Sequence, residues 1–255
     1  MDPTIVHLGP FALTWHGLFA ALGIALAISF AIRLTRDRPE LEEPILNLAP
    51  WAVGGGLIGA RIVHILDNWT FYSQDPIRII MLNQGGIALY GGIIGGSLAA
   101  FIVSQREHLP SGLIADVAAP GLLVGQAIGR IGDMINGEHF TTLTNLPWGT
   151  IYLHPDSPGS RFPTHPEVGY ELIWDLVVLG VVLWLRQRLP RPGMAYWVYL
   201  ALYSAGRFLL SFMRLDFVVQ IAGLQISQIA ALGAFYVAIF AFVVLARRPA
   251  PTSVA

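Results

Sequence analysis

Apolar residues in this chain fall in long runs, separated by short clusters of arginine, proline and glycine. Seven windows reach the roughly 17–25 residues that carry a helix across a bilayer: about 11–32, 46–66, 86–104, 112–132, 168–185, 194–213 and 223–246. Pro50 and Arg61 interrupt the second window, which makes it the least regular. The pattern predicts seven transmembrane helices joined mostly by short loops. The longest connection, about 134–167, carries the turn-forming stretches N-L-P-W-G-T and H-P-D-S-P-G-S-R and reads as a small head without strands. Connections of that length tend to be functional or mobile.

Composition points the same way. Of 255 residues, 55% are hydrophobic and 12% charged, whereas soluble domains carry charge on about a quarter of their residues. The expected fold class is all-α: a polytopic integral membrane protein forming a single transmembrane domain over 1–255, with the head at about 134–167. The N-terminal residues M-D-P-T-I-V-H lack the basic segment of a cleaved signal, so the first apolar run is expected to remain as a span. There is no cysteine, which excludes disulfides, a thiolate nucleophile and cysteine-ligated metal. The net charge of −1 favours no class of partner, and no nucleic acid is expected.

The distribution of charge is more telling than its sum. All 15 basic residues are arginines, and Arg33, Arg36, Arg38, Arg106, Arg186, Arg188, Arg191, Arg247 and Arg248 fall in one set of loops and the C-terminal tail. By the positive-inside rule that set is cytoplasmic, which places the N-terminus outside and the C-terminus inside. His16, Arg61, Tyr90, Arg130, Glu171 and Arg207 then lie near the outer ends of their helices. At about 1.5 Å per residue, all come within roughly 10 Å of one boundary. Ionisable groups at such depth are expensive and usually serve an ion, a substrate or a partner charge.

The densest polar segment is G-Q-A-I-G-R-I-G-D-M-I-N-G-E-H-F, residues 125–140, which gathers Arg130, Asp133, Asn136 and Glu138 at the end of an apolar run. Several chemistries do not fit it. The seven histidines form no H-E-x-x-H motif and no i,i+4 pair on one helix, so no metal is expected, and His154 and His165 read as solvated loop residues. Ser97, Ser204 and Ser211 lack a nucleophile-elbow context. G-G-G-L-I-G at 54–59 matches a dinucleotide fingerprint only in letters, because no strand precedes it. The pairs Gly55/Gly59, Gly92/Gly96 and Gly125/Gly129 read instead as close-packing helix faces. What remains is an arginine-rich pocket with few acids to neutralise it. The planar guanidinium fork suits phosphate oxygens, and the commonest phosphate at that depth is a lipid head group. The expected function is to bind a phospholipid and either modify or move it.

The motifs also carry a resemblance. G-R-I-G-D-M-I-N-G-E at 129–138 resembles the signature G-R-x-G-N-F-x-N-G-E of bacterial prolipoprotein diacylglyceryl transferases. In the same order, W-H-G-L at 15–18 is similar to that family's W-Y-G-L, I-G-A-R at 58–61 to its G-A-R, and G-G-I-A-L-Y-G-G-I-I-G-G at 85–96 to its G-G-x-x-x-H-G-G-x-I-G. H-P-E-V-G-Y-E at 165–171 and R-F-L-L-S-F-M-R at 207–214 resemble H-P-x-x-L-Y-E and R-F-x-x-E-x-x-R. The resemblance implies transfer of the diacylglyceryl group of phosphatidylglycerol to the lipobox cysteine thiol of a preprolipoprotein. A thioether forms and glycerol phosphate leaves, at the bacterial cytoplasmic (inner) membrane and without a cofactor. It implies Arg130, Arg207, Glu138, Tyr90, His16 and Asp133 as catalytic candidates, and Arg130, Arg207, Asn136 and Arg61 as phosphatidylglycerol ligands.

Four positions depart from the family pattern. Tyr90 stands for its histidine, His16 for its tyrosine, Asp133 for an asparagine and Ser211 for a glutamate. If His16 and Tyr90 face one cavity, imidazole and phenol have exchanged places. Asp133 is placed either to pair with Arg130 or to serve as a base. The alternatives are a divergent phospholipid-binding or lipid-translocating paralogue of the same fold, and a small-solute transporter. The latter lacks its usual midplane charges and internal repeats.

Overall fold

The computed structural model describes residues 2–8, 11–80, 88–215 and 220–248. Residues 85–87 of the glycine-rich motif at 85–96 lie outside them. Among the described residues the chain is mostly helical, with α1 (Trp15–Arg33), α2 (Glu42–Asp67), a single turn α3 (Trp69–Tyr72), α4 (Leu89–Arg106), α5 (Ser111–Asn136), α6 (Glu167–Leu185), α7 (Met194–Leu210) and α8 (Ile226–Arg247). Segments 15–33, 39–66, 111–136, 167–185 and 226–247 are long and apolar enough to cross a membrane. α4 and α7, with 18 and 17 residues, are the shorter helices of the set.

Two small hairpins depart from the all-helical expectation. Thr4–Leu8 (β1) pairs antiparallel with Phe11–Thr14 (β2), and Gln220–Ile221 (β3) with Leu224–Gln225 (β4). The first apolar run is therefore divided. Its opening residues are strand, and the helix begins only at Trp15, where the Thr14 hydroxyl accepts from the Gly17 N–H at 3.1 Å. That cap satisfies one of the donors a helix start leaves free. At the start of α2, Glu42 and Glu43 lie in the first turn, where the helix dipole favours negative charge.

Glycines set the helix pairing. α2 lies along α4 and α1 along α5. A Cβ at Gly59 would stand 2.3 Å from the Gly91 carbonyl oxygen, and one at Gly95 would stand 2.4 Å from that of Gly55. Any side chain there would drive the α2 and α4 backbones apart. Between α1 and α5 the close pair is Gly23 with Gly125, whereas Gly129 meets open space and plays no such part.

Two apolar cores support the bundle. Ala119, Leu123, Val178, Val182, Tyr199 and Ala238 join α5, α6, α7 and α8. Ala31, Leu41, Ile45, Leu48, Ile114 and Val117 join α1, α2 and α5 at the arginine-rich end. There, Asp116 of α5 accepts from the backbone N–H groups of Gly193 (2.7 Å) and Tyr196 (3.0 Å), capping the start of α7. Facing outward are Ile58, Ile94, Ile173 and Phe240, while Arg130, Glu171, Asp175 and Arg207 are buried. Apolar outside and charged inside is the arrangement a hydrocarbon solvent selects.

Candidate phosphate-binding and transfer site

Five helices, α1 and α4 to α7, and the loop between α5 and α6 bring the polar groups together. α5 ends at Gly137, which adopts the left-handed conformation (φ 70°) and returns its N–H to the Asp133 carbonyl. A Cβ there would strike Ser157 Oγ at 2.5 Å and the Tyr152 ring at 2.6 Å, so glycine serves both the turn and the fit. The Ser157 and Tyr152 hydroxyls donate to the carbonyls of Asn136 (2.6 Å) and Met134 (2.7 Å), tying the loop to the end of α5. Residues 134–136 thus belong to the helix, and the loop proper starts at Gly137. It contributes only isolated bridges, such as Leu143 with Thr164, in keeping with its turn-rich sequence.

Glu167, Glu171 and Asp175 recur every four residues and so line one face of α6. Glu171 is the hub. One of its oxygens meets Arg207 of α7; the other lies 2.8 Å from Arg130 of α5 and 3.1 Å from Arg214, just beyond α7. Glu167 faces Arg214 at 2.9 Å and Arg207 at 3.6 Å. Arg130 also reaches Asp133 at 3.2 Å. Below Arg207, Gly206 lacks the Cβ that would collide with the Trp174 indole, which donates to the Leu202 carbonyl at 2.9 Å.

The arginines are therefore not a positive pocket short of acids. Glu167, Glu171 and Asp133 pair with Arg130, Arg207 and Arg214, Asp175 lies on the same face of α6, and all seven are buried. The signal for this was in the sequence: three acids spaced by four in an otherwise apolar helix, a pattern costly enough in a membrane to demand partners. Glu167, Glu171, Asp175 and Arg214 are not among the site residues expected from the sequence, although Glu171 is expected near the outer end of its helix.

The other candidates divide into two groups. His16 and Asp133 are in direct contact, Nδ1 to Oδ1, across the α1–α5 interface. Tyr90 is buried on α4, close enough to Arg130, Arg207 and Glu171 for their charges to act on its hydroxyl. Asn136 donates to Glu138 at 2.8 Å just past the end of α5. Ser211, in place of the family's glutamate, donates to the Arg207 carbonyl at 2.6 Å. Arg61 is committed elsewhere in α2's surroundings: it donates to the carbonyls of Arg78 (2.6 Å) and Ile79 (3.1 Å) and lies 5.3 Å from the Tyr72 ring centre. None of those contacts is with an acid of the Arg130–Arg207 cluster.

Fold and site together define a multi-pass helical membrane protein with a buried arginine–carboxylate cluster where three of its helices meet. The comparisons with known proteins make this specific. A profile of the family described as prolipoprotein diacylglyceryl transferase matches residues 3–244, and the chain belongs to that family. It is 36% identical to the phosphatidylglycerol–prolipoprotein diacylglyceryl transferase of Trichormus variabilis, over 98% of this chain and 92% of that protein. The enzyme of the same name from a Nostoc species is 37% identical, with the same coverage. That of Clostridioides difficile is 34% identical over 97% of both chains.

Proposed function

We propose that this protein transfers the diacylglyceryl group of phosphatidylglycerol to the cysteine thiol of a preprolipoprotein lipobox, forming a thioether and releasing glycerol phosphate. The observation that carries the reading is the convergence of Arg130 and Arg207 on the two oxygens of one carboxylate, Glu171. In this state Glu171 sits where an anion is held between two guanidinium forks. A lipid phosphodiester presents the same pair of oxygens and takes over that position when it binds. Arg130 and Arg207 then stabilise the charge that grows as the phosphate departs. Asn136 and Glu138 are assigned to the lipid head group and Tyr90 to the lining of the site, whereas Arg61 holds the carbonyls of Arg78 and Ile79 in the segment after α3. The enzyme needs no cysteine of its own, because the nucleophile belongs to the peptide.

Seven spans are proposed: the five long apolar helices together with α4 and α7, which pack along α2 and α8. An odd number puts the termini on opposite sides of the bacterial inner membrane. The arginine-rich loops then face the cytoplasm, and the head and the Arg130–Arg207 cluster face outward. Labelling tests this cleanly, since no native cysteine interferes. Ser157→Cys is expected to react with an impermeant maleimide only from the outer side, and reaction only from the cytoplasm would invert the arrangement.

The activity is tested by incubating purified protein with phosphatidylglycerol and a lipobox peptide, followed by mass spectrometry. A gain of one diacylglyceryl group on the peptide cysteine is expected. Retention of phosphatidylglycerol without any mass gain would mark a lipid binder instead.

A further inference from the structure

We infer that His16 is the base that takes the proton from the acceptor thiol, with Asp133 as its positioning residue. The inference rests on the transferase reading above and assigns the step which that reading leaves open. A neutral thiol is a weak nucleophile, and an apolar setting does not favour thiolate. Some group must accept the proton.

The fold delivers His16 to Asp133 by two local devices. The Thr14 cap fixes the first turn of α1, in which His16 is the second residue. Gly132 then lets that turn lie directly on α5, since a Cβ there would stand 3.0 Å from both the His16 Cα and the Trp15 carbonyl oxygen. The result is a contact between residues 117 apart in sequence. A carboxylate only accepts, so Asp133 holds the proton on Nδ1 and leaves a lone pair on Nε2. Nε2 has no hydrogen-bond partner among the described residues. The acid is nearly enclosed, at 10% side-chain exposure, while the imidazole is 37% exposed. A pair that served only to join α1 to α5 has no need of an open ring edge.

The other oxygen of Asp133 faces Arg130 at 3.2 Å. One carboxylate therefore connects the base to the arginine proposed to hold the phosphate. The charged groups acting on His16 are Asp133 and Arg130 of α5, and Glu138 just beyond that helix. Competing bases are less well placed. Tyr90 is buried among the charges of the cluster, and Glu138 is engaged by Asn136.

The step balances as follows. The thiol proton passes to Nε2, and the sulfur lone pair forms the C–S bond to the glyceryl carbon that carries the phosphate. The C–O bond to the phosphate oxygen breaks, and its electron pair leaves with glycerol phosphate. The imidazolium returns the proton to that phosphate or to water.

The test is the pH dependence of transfer to a lipobox peptide, with phosphatidylglycerol KM measured on the same preparations. General-base catalysis contributes about 10²–10⁴-fold. His16→Gln is expected to lose at least 10²-fold in kcat at pH 7 with little change in lipid KM. Its rate should then climb with pH toward the range of a free thiol, about 8.5, narrowing the gap to within about tenfold. Asp133→Asn should lose rate yet still show an acidic limb, because the imidazole remains. A His16→Gln deficit that is constant with pH, or absent, overturns the inference. So does a limb that persists in His16→Gln and vanishes in Tyr90→Phe. A parental protein inert at every pH overturns the transferase reading itself, and the inference with it.

Discussion

The seam between α2 and α4 is built almost without side chains, whereas the junction of α5, α6 and α7 is built from the longest and most polar ones. At the seam, Gly55, Gly59, Gly91 and Gly95 bring two backbones into contact. At the junction, Arg130, Arg207 and Arg214 fill the space between helices and close on Glu167 and Glu171. Both regions hold helices together in a medium that offers no hydrophobic drive for helix association. The seam does so with dispersion and offers nothing to a ligand. The junction does so with charges that a substrate anion is able to claim. Stability and chemistry are thus served by different stretches of one chain, and substitutions can separate them.

Removing the hub is expected to have the largest effect. Glu171→Gln leaves three buried guanidinium groups short of their central partner, and breaking a buried pair costs about 3–5 kcal/mol. Thermal stability in detergent should fall together with activity. Arg130→Lys and Arg207→Lys keep the charge but lose the fork. Each should insert and melt close to the parental protein yet transfer about 10²–10³-fold more slowly, the loss of one oxyanion-type donor. An active Arg130→Lys enzyme would make that arginine a structural tie and erase the contrast with the seam.

Gly95→Ala probes the other side of the comparison. The added methyl meets the Gly55 carbonyl, and overpacking of this kind costs about 1–3 kcal/mol. Melting temperature and yield should drop, while kcat per folded molecule is retained. A loss of kcat without a loss of stability would tie the seam to the chemistry. The smallest effect is expected for Tyr152→Phe, which removes the bond to the Met134 carbonyl at a cost of about 1 kcal/mol. A melting shift of that size with unchanged transfer would show that the loop's hold on α5 is structural.

Much of the fold was legible in the sequence because hydrocarbon is a demanding solvent. Each of the seven apolar windows coincides with a helix, to within a few residues at most ends. The β1–β2 hairpin was marked only by the turn dipeptide Gly9-Pro10, because Phe11–Thr14 continues the apolar run into α1. Close-packing glycines were legible as a class but not as pairs: Gly125 meets Gly23, a partner about a hundred residues away, while Gly129 meets nothing. At the site, Arg130, Asp133, Asn136 and Glu138 stood out as polar groups crowded at the end of an apolar run, and Arg207 as a charge at the same depth; family likeness gave them roles. Glu171 was legible from its depth near the outer boundary, whereas Glu167 and Asp175 become legible only along one face of α6, as acids spaced by four. The contact of His16 with Asp133 depends on the α1–α5 crossing, which no local pattern encodes.

Asp116 bears on all of this from the far end of the bundle. Arg130 lies fourteen residues after Asp116, and Arg207 lies fourteen residues after Gly193, whose N–H the Asp116 carboxylate accepts. At 1.5 Å per residue, each arginine stands about 21 Å along its helix from that shared origin. The carboxylate works like a common zero mark for two rulers laid side by side. It fixes how far α7 is advanced relative to α5, and so it keeps the two guanidinium groups level with each other. A slip of a single residue would offset them by about 1.5 Å, enough to spoil a two-point grip on one phosphate without touching any group that meets it.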